Sequence, residues 1–128
     1  MQKIELPVLN DGEIYLGGFV DSNGNVSHTI LLPGDHNGAT WQEQKDWAAS
    51  IGGDLPTRVE LAVVYEKNPA QFTRTWYWAK EESTDQPGWG WFHTFSLGYQ
   101  NIAPGDNKYR ARAVRRVPST AKPAQPQQ

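Results

Sequence analysis

The chain contains no cysteine. That absence removes disulfides, thiolate metal sites and cysteine nucleophiles together, and it is compatible with a reducing compartment. Long apolar runs are missing too: no stretch approaches the ~20 residues of a membrane span, and the opening MQKIELPVLNDGE lacks the continuous apolar core of a secretory leader. The expectation is a soluble protein made in the cytoplasm. Nor is there an excess of one charge. Fourteen acidic against twelve basic side chains leave a formal charge of -2, so no global field draws the protein to nucleic acid or an anionic membrane. Motifs of common chemistries are absent as well: no G-x-S-x-G, no phosphate loop, no dinucleotide fingerprint, and no H-x-x-x-H spacing among His28, His36 and His93. These histidines, placed in a strand, a loop and a second strand, read as ordinary polar contacts. The expectation is a protein without catalytic residues, bound metal or cofactor.

What is present fills one domain, since 128 residues with 38% hydrophobic composition supply one core. EIYLGGFV and VSHTILL are β-prone runs joined by DSNGN, which reads as a hairpin and not as a calcium loop, its glycine coming one residue early and Leu32 standing where a closing glutamate is needed. A loop, PGDHNG, then leads to Thr40. Thr40 with Glu43, and Thr57 with Glu60, make two T-x-x-E capping boxes, each opening a short helix. Trp41, Trp47, Ala48 and Ile51 form the apolar stripe of the first, stopped by Gly52-Gly53. Leu61, Val64 and Tyr65 form that of the second, closed at Asn68-Pro69. Short aromatic and β-branched runs follow: TWYWA, GWGWFHTFSLG and KYRARAVRRV. The fold class expected is α+β, with the domain over 1–117 and a disordered Pro/Gln-rich tail over 118–128, too poor in large apolar groups to offset its ordering entropy.

LPTRVEL (Leu55 to Leu61), YW (Tyr77-Trp78), WGWFHTFSLG (Trp89 to Gly98) and RARAVRRV (Arg110 to Val117) fall in an order and spacing that resembles an uncharacterised family of bacterial and prophage domains. That family is related to the C-terminal domain of a bacterial collagen-like adhesin, and the resemblance spans roughly Leu32 to Val117. Its pattern is Leu-Pro-Thr/Ser-x-x-Glu-Leu, Tyr-Trp-Ser, an aromatic-x-x-x-Phe-x-x-Gly strand, and a closing Val-Arg-x-Val-Arg. Ala79 departs from it where serine is frequent, and Ala113 where cysteine is frequent. The resemblance implies a C-type-lectin-like fold with irregular loops on one side and no catalytic apparatus. Formylglycine-generating enzymes share the fold, but their oxidation chemistry needs cysteines that this chain lacks.

Four of the six tryptophans lie between Arg74 and Phe95. Trp41 and Trp47 read as core from their place on a helix, the resemblance implies the same for Tyr77, Trp78, Trp91 and Phe95, which match the family's strand positions, and Trp76 and Trp89 are free to be partly exposed. The segment AKEESTDQPG (Ala79 to Gly88) reads as a solvated loop where sugar-binding C-type lectins keep their calcium loop. Its QPG ends in glycine where calcium needs a carboxylate, which disfavours calcium-dependent sugar binding. Arg110, Arg112, Arg115 and Arg116 form one basic cluster, interrupted along its strand, for which pairing with acidic loop residues is expected over nucleic-acid binding. The reading is a non-catalytic, metal-independent binding protein, phage- or prophage-encoded, acting in the bacterial host cytoplasm or on a virion. A protein partner is recognised through the loops between Ala79 and Lys108, inhibition of a host or anti-phage defence complex being one such role. The candidate contact residues are Lys80, Glu81, Glu82, Asp85, Trp89, Tyr99, Asn101, Asp106 and Lys108. The alternative is an adhesin-like or receptor-binding module for a glycan or cell-surface ligand.

Overall fold

Asp21 closes the first turn: its Oδ1 accepts from the N–H groups of Asn23 and Asn25, both at 2.9 Å, and Gly24 takes φ +83°. In the computed structural model, which describes residues 5–119, this turn joins β1 (Ile14–Val20) to β2 (Val26–Leu31) in the expected antiparallel hairpin. Both capping boxes form as well. Thr40 opens α1 (Trp41–Ser50) and Thr57 opens α2 (Arg58–Lys67), each threonine oxygen accepting from the N–H of the glutamate three residues on, whose carboxylate accepts from the threonine N–H. A single 3₁₀ turn (Pro69–Gln71) follows α2.

PGDHNG is not wholly a loop. His36–Ala39 forms a short strand, β3, drawn out by α1: the buried Gln44 side chain donates to Asn37 O and Tyr109 O at 2.8 Å each, and its Oε1 contacts His36 Nδ1 at 2.7 Å. Ile51, expected on the α1 stripe, lies beyond the helix and is 41% exposed.

The later strands are β4 (Trp76–Glu82), β5 (Trp89–Thr94), β6 (Gln100–Pro104), β7 (Tyr109–Ala111) and β8 (Val114–Pro118). They complete two open sheets, β1-β2-β8 and β3-β7-β4-β5-β6. All pairings are antiparallel except β4 with β7, so the domain is α+β with one antiparallel and one mixed sheet. KYRARAVRRV is therefore two strands in two sheets and not one closing strand. The break falls at Arg112-Ala113: the buried Arg112 guanidinium donates to Leu32 O at 2.8 Å and to Gln71 O, and Ala113 O accepts from Leu32 N–H at 2.9 Å. Pro118 pairs with Ser27, and Ser119 N–H bonds Val26 O, so the domain runs past the expected boundary at Val117; the tail expected beyond 119 lies outside the described residues.

Two apolar clusters sandwich the mixed sheet. Leu61 and Val64 of α2 pack with Leu16, Leu31, Tyr77, Phe95 and Val114, while Trp41 and Ala48 of α1 pack with Trp78, Phe92, Ala103 and Ala111. Tyr77 and Trp78 are fully buried, as expected of core residues, and Trp41 and Phe95 nearly so. Trp47 and Trp91 are only half-buried.

The two outermost motifs of the resemblance meet in a buried ion cluster. Glu60 of LPTRVEL, 3% exposed, accepts from Arg116 Nη2 at 2.7 Å and Nε at 2.9 Å, from Thr29 Oγ1 at 2.6 Å and from Thr57 N–H at 2.8 Å. Arg116 also donates to Asp54 at 2.8 Å and Leu55 O at 3.0 Å. Every oxygen and nitrogen of this pair used here has a partner. Burial would push the Glu60 carboxyl up, but the donors of Arg116, Thr29 and Thr57 outweigh it and hold it below its ordinary value.

Candidate binding surface

Two turns and the start of α1 converge at one end of the mixed sheet. The β4–β5 turn is organised by Ser83, whose Oγ accepts from the N–H groups of Asp85 and Gln86 at 3.2 Å each and whose N–H donates to Trp89 O at 2.8 Å. Gly88, with φ +82°, presents its carbonyl to Gly105 N–H of the β6–β7 turn at 2.9 Å, and Gly105 O accepts from Trp41 N–H at the start of α1, also at 2.9 Å. A Cβ on Gly105 would stand 2.5 Å from Gly88 O, so only glycine permits this approach. Turn, turn and helix start are thus tied backbone to backbone, which presents their side chains on a rigid support.

Those side chains are mostly acidic. Glu82, Asp85 and Asp106 are exposed here, as is Lys108, and Glu43 stands in the first turn of α1. Glu82 Oε2 accepts from Gly88 N–H at 3.3 Å. The Glu43 carboxyl is held below its ordinary value chiefly by the Thr40 N–H of the capping box. Trp89, half-buried, begins β5 next to the turn, on the face of the sheet opposite Glu82, which pairs with Gly90. Strand alternation sets Trp89 on the same face as Trp91, whose ring carries the Arg58 guanidinium at 3.4 Å from its centroid. Arg58 is fixed in turn by Gln100: its Nε donates to Gln100 Oε1 at 3.2 Å, and Gln100 Nε2 donates to Arg58 O at 2.7 Å and His93 Nδ1 at 3.1 Å.

Of the nine residues singled out from the sequence, Glu82, Asp85, Trp89, Asp106 and Lys108 lie in or next to the two turns joined at Gly88 and Gly105, with Trp89 and Glu82 on opposite faces of the sheet. Lys80, Glu81 and Glu82 belong to β4 and not to a loop, because the strand continues past a bulge after Trp78. Lys80 is paired with Asp54 at 2.9 Å, and Glu81 accepts from Arg58 N–H at 2.9 and 3.2 Å, anchoring the start of α2. Asn101 lies along edge strand β6, where its Oδ1 accepts from Ile102 N–H at 2.8 Å. That bond, with Pro104 two residues on, blunts the edge against pairing with another strand. Tyr99 stands apart. It follows the far end of β5 and sets its ring 6.3 Å from Phe92, on the face opposite Trp89.

The arginine cluster is occupied internally. Arg110 pairs with Asp35 and Arg115 with Glu13, both at 2.8 Å, Arg116 pairs with Glu60 and Asp54, and Arg112 is buried. The partners are acidic as expected, but none comes from the Ala79–Gly88 segment. Sequence reading missed Arg58, Trp91 and Asp54 as surface-shaping residues; the N1 position of Arg58 after a capping threonine was the available signal for the first. Among the described residues no three His, Asp or Glu side chains are grouped so as to hold a metal ion, and no helix is long and apolar enough to cross a membrane. No protein-family model matches the chain, and no curated protein matches it.

Proposed function

We propose that this chain is a non-catalytic binding protein built on a C-type-lectin-like scaffold of the bacterial and prophage kind, and that it recognises a protein partner with a basic face. The supporting observation is the tied pair of turns that presents the exposed carboxylates of Glu82, Asp85 and Asp106 beside the start of β5, where Trp89 is half-buried, while Arg110, Arg112, Arg115 and Arg116 are engaged internally. An aromatic residue beside exposed charge, on a hydrogen-bonded support that loses little entropy on binding, suits an interface hot spot. The carboxylates steer a basic partner and the indole supplies contact area. Inhibition of a host or anti-phage defence complex, in the bacterial cytoplasm or from a virion, is the role this proposal assigns.

The test is capture from a lysate of the source bacterium by immobilised wild-type protein and by two variants, Trp89→Ala and the double charge reversal Glu82→Lys/Asp106→Lys. Each variant is first checked by circular dichroism to be folded. A protein retained by the wild type and lost from both variants supports the proposal. Equal retention by Trp89→Ala moves the interface off the turns. Retention of a glycan and of no protein would replace the proposal by the adhesin-like reading, for which the same indole would serve as a stacking platform.

A further inference from the structure

Away from the turns, on the α2 side, a groove of about 350 Å³ opens between the tip of the β1–β2 hairpin and the first turn of α2. Its rim is apolar. Val20 and Val59 are 67% and 62% exposed, come from elements far apart in sequence, and both line this one groove, with half-buried Phe19 beside them. Apolar side chains left in water on the same concavity mark a contact site more strongly than either does alone. Its walls are acidic: among the described residues, Asp21, Glu60 and Glu81 line it against one cation, Arg116. Glu60 and Arg116 satisfy one another at the floor, so the charge that the groove offers outward is that of Asp21 and Glu81. Asp21 uses only Oδ1 in its turn, and Glu81 accepts from a backbone N–H, so that among the described residues no cationic side chain is in contact with it.

We infer that this groove is a docking site for a cationic side chain, arginine or lysine, of a partner protein. The aliphatic stem lies against Phe19, Val20 and Val59 and the charged head reaches Asp21 and Glu81. The chemistry is complementary at both ends: a long apolar stem needs an apolar rim, and a cation needs carboxylates that no internal base has neutralised. A carboxylate-bearing ligand would be repelled by the same walls. The groove shares no lining residue with the turns, so it is tested separately from the surface around Trp89.

The test uses the full chain, isotope-labelled for NMR, titrated with the peptide acetyl-Ala-Val-Arg-Val-Ala-amide and with its citrulline isostere, which keeps the shape and removes the charge. Expected are saturable shifts at Val20, Val59 and Thr29 with the arginine peptide, at least tenfold weaker with citrulline and weakened by added salt. Val59→Lys and Val20→Lys, each at an exposed position, place a cation in the groove and should abolish those shifts while leaving the rest of the spectrum in place. Equal binding of the two peptides, shifts centred on Trp89 instead of the groove, no saturable shift at all, or unchanged binding by both folded lysine variants would overturn the inference.

Discussion

Arg116→Met is the substitution that examines the ion cluster most directly. The Arg116 side chain is a quarter exposed and the Glu60 side chain only 4% exposed, so removing the cation strands a carboxylate with the Thr29 hydroxyl and Thr57 N–H as its remaining donors. Breaking a buried pair from one side costs about 3–5 kcal/mol, against the roughly 5–15 kcal/mol that holds a domain together. Glu60→Gln should cost less, about 1–3 kcal/mol, because the amide oxygen still accepts from Thr57 and Arg116 keeps Asp54 and Leu55 O. The pH dependence has a definite sign. In the wild type the Glu60 carboxyl lies below its ordinary value, so its contribution is fully present above that ordinary value and is lost as pH falls through the lowered one. Without Arg116, burial acts unopposed by a cation and raises the Glu60 carboxyl, so acid protonates it and relieves the variant. The stability gap between wild type and Arg116→Met should therefore be widest near neutral pH and close as pH falls through the raised value of the variant and then the lowered value of the wild type. Urea unfolding followed by tryptophan fluorescence at pH 7 and pH 3.5 measures it. A gap under about 1 kcal/mol at pH 7, or one of equal size at both pH values, would refute the reasoning.

Trp78→Ala should cost about 3–5 kcal/mol, since its ring is fully buried and its Nε1 donates to Ala39 O at 3.0 Å, whereas Trp91→Ala, half-buried beneath Arg58, should cost only about 1–2 kcal/mol; equal losses in urea unfolding would contradict the division. Gly90→Ala sets a methyl 2.9 Å from Trp41 Cδ1, a ring already held by its bond to Ala79 O, so overpacking of about 1–3 kcal/mol is expected and an unchanged urea midpoint would be the contrary result. The Glu13 carboxyl is held down to about 2, first by its hydrogen bonds from Arg115 and against the effect of burial, so carboxyl NMR should show it ionised well below the ordinary range. Its contribution to stability is lost only as pH falls from the ordinary value toward 2, and Arg115→Gln should return the titration toward that ordinary value.

The hairpin and both helix starts were legible from sequence because their determinants are local: Asp21 bonds residues two and four on, and each capping box spans four residues. Burial of Tyr77 and Trp78 was expected from the family resemblance, whose strand positions they match. What the local pattern could not decide is anything set by a distant partner. His36–Ala39 pairs as a strand only because Gln44 and β7 satisfy its backbone, and the β-prone KYRARAVRRV divides at Arg112 because two carbonyls from elsewhere in the chain capture its guanidinium. Trp89 and Tyr99 were expected on one surface, but β5 and its turn carry them to opposite faces of the sheet. Four arginines in sequence read as a basic patch until the fold brings Glu13, Asp35, Asp54 and Glu60 against three of them and buries the fourth. Charge composition is a property of the sequence, whereas the charge shown to a partner is what remains after residues far apart in the chain have paired, and only tertiary structure determines that remainder.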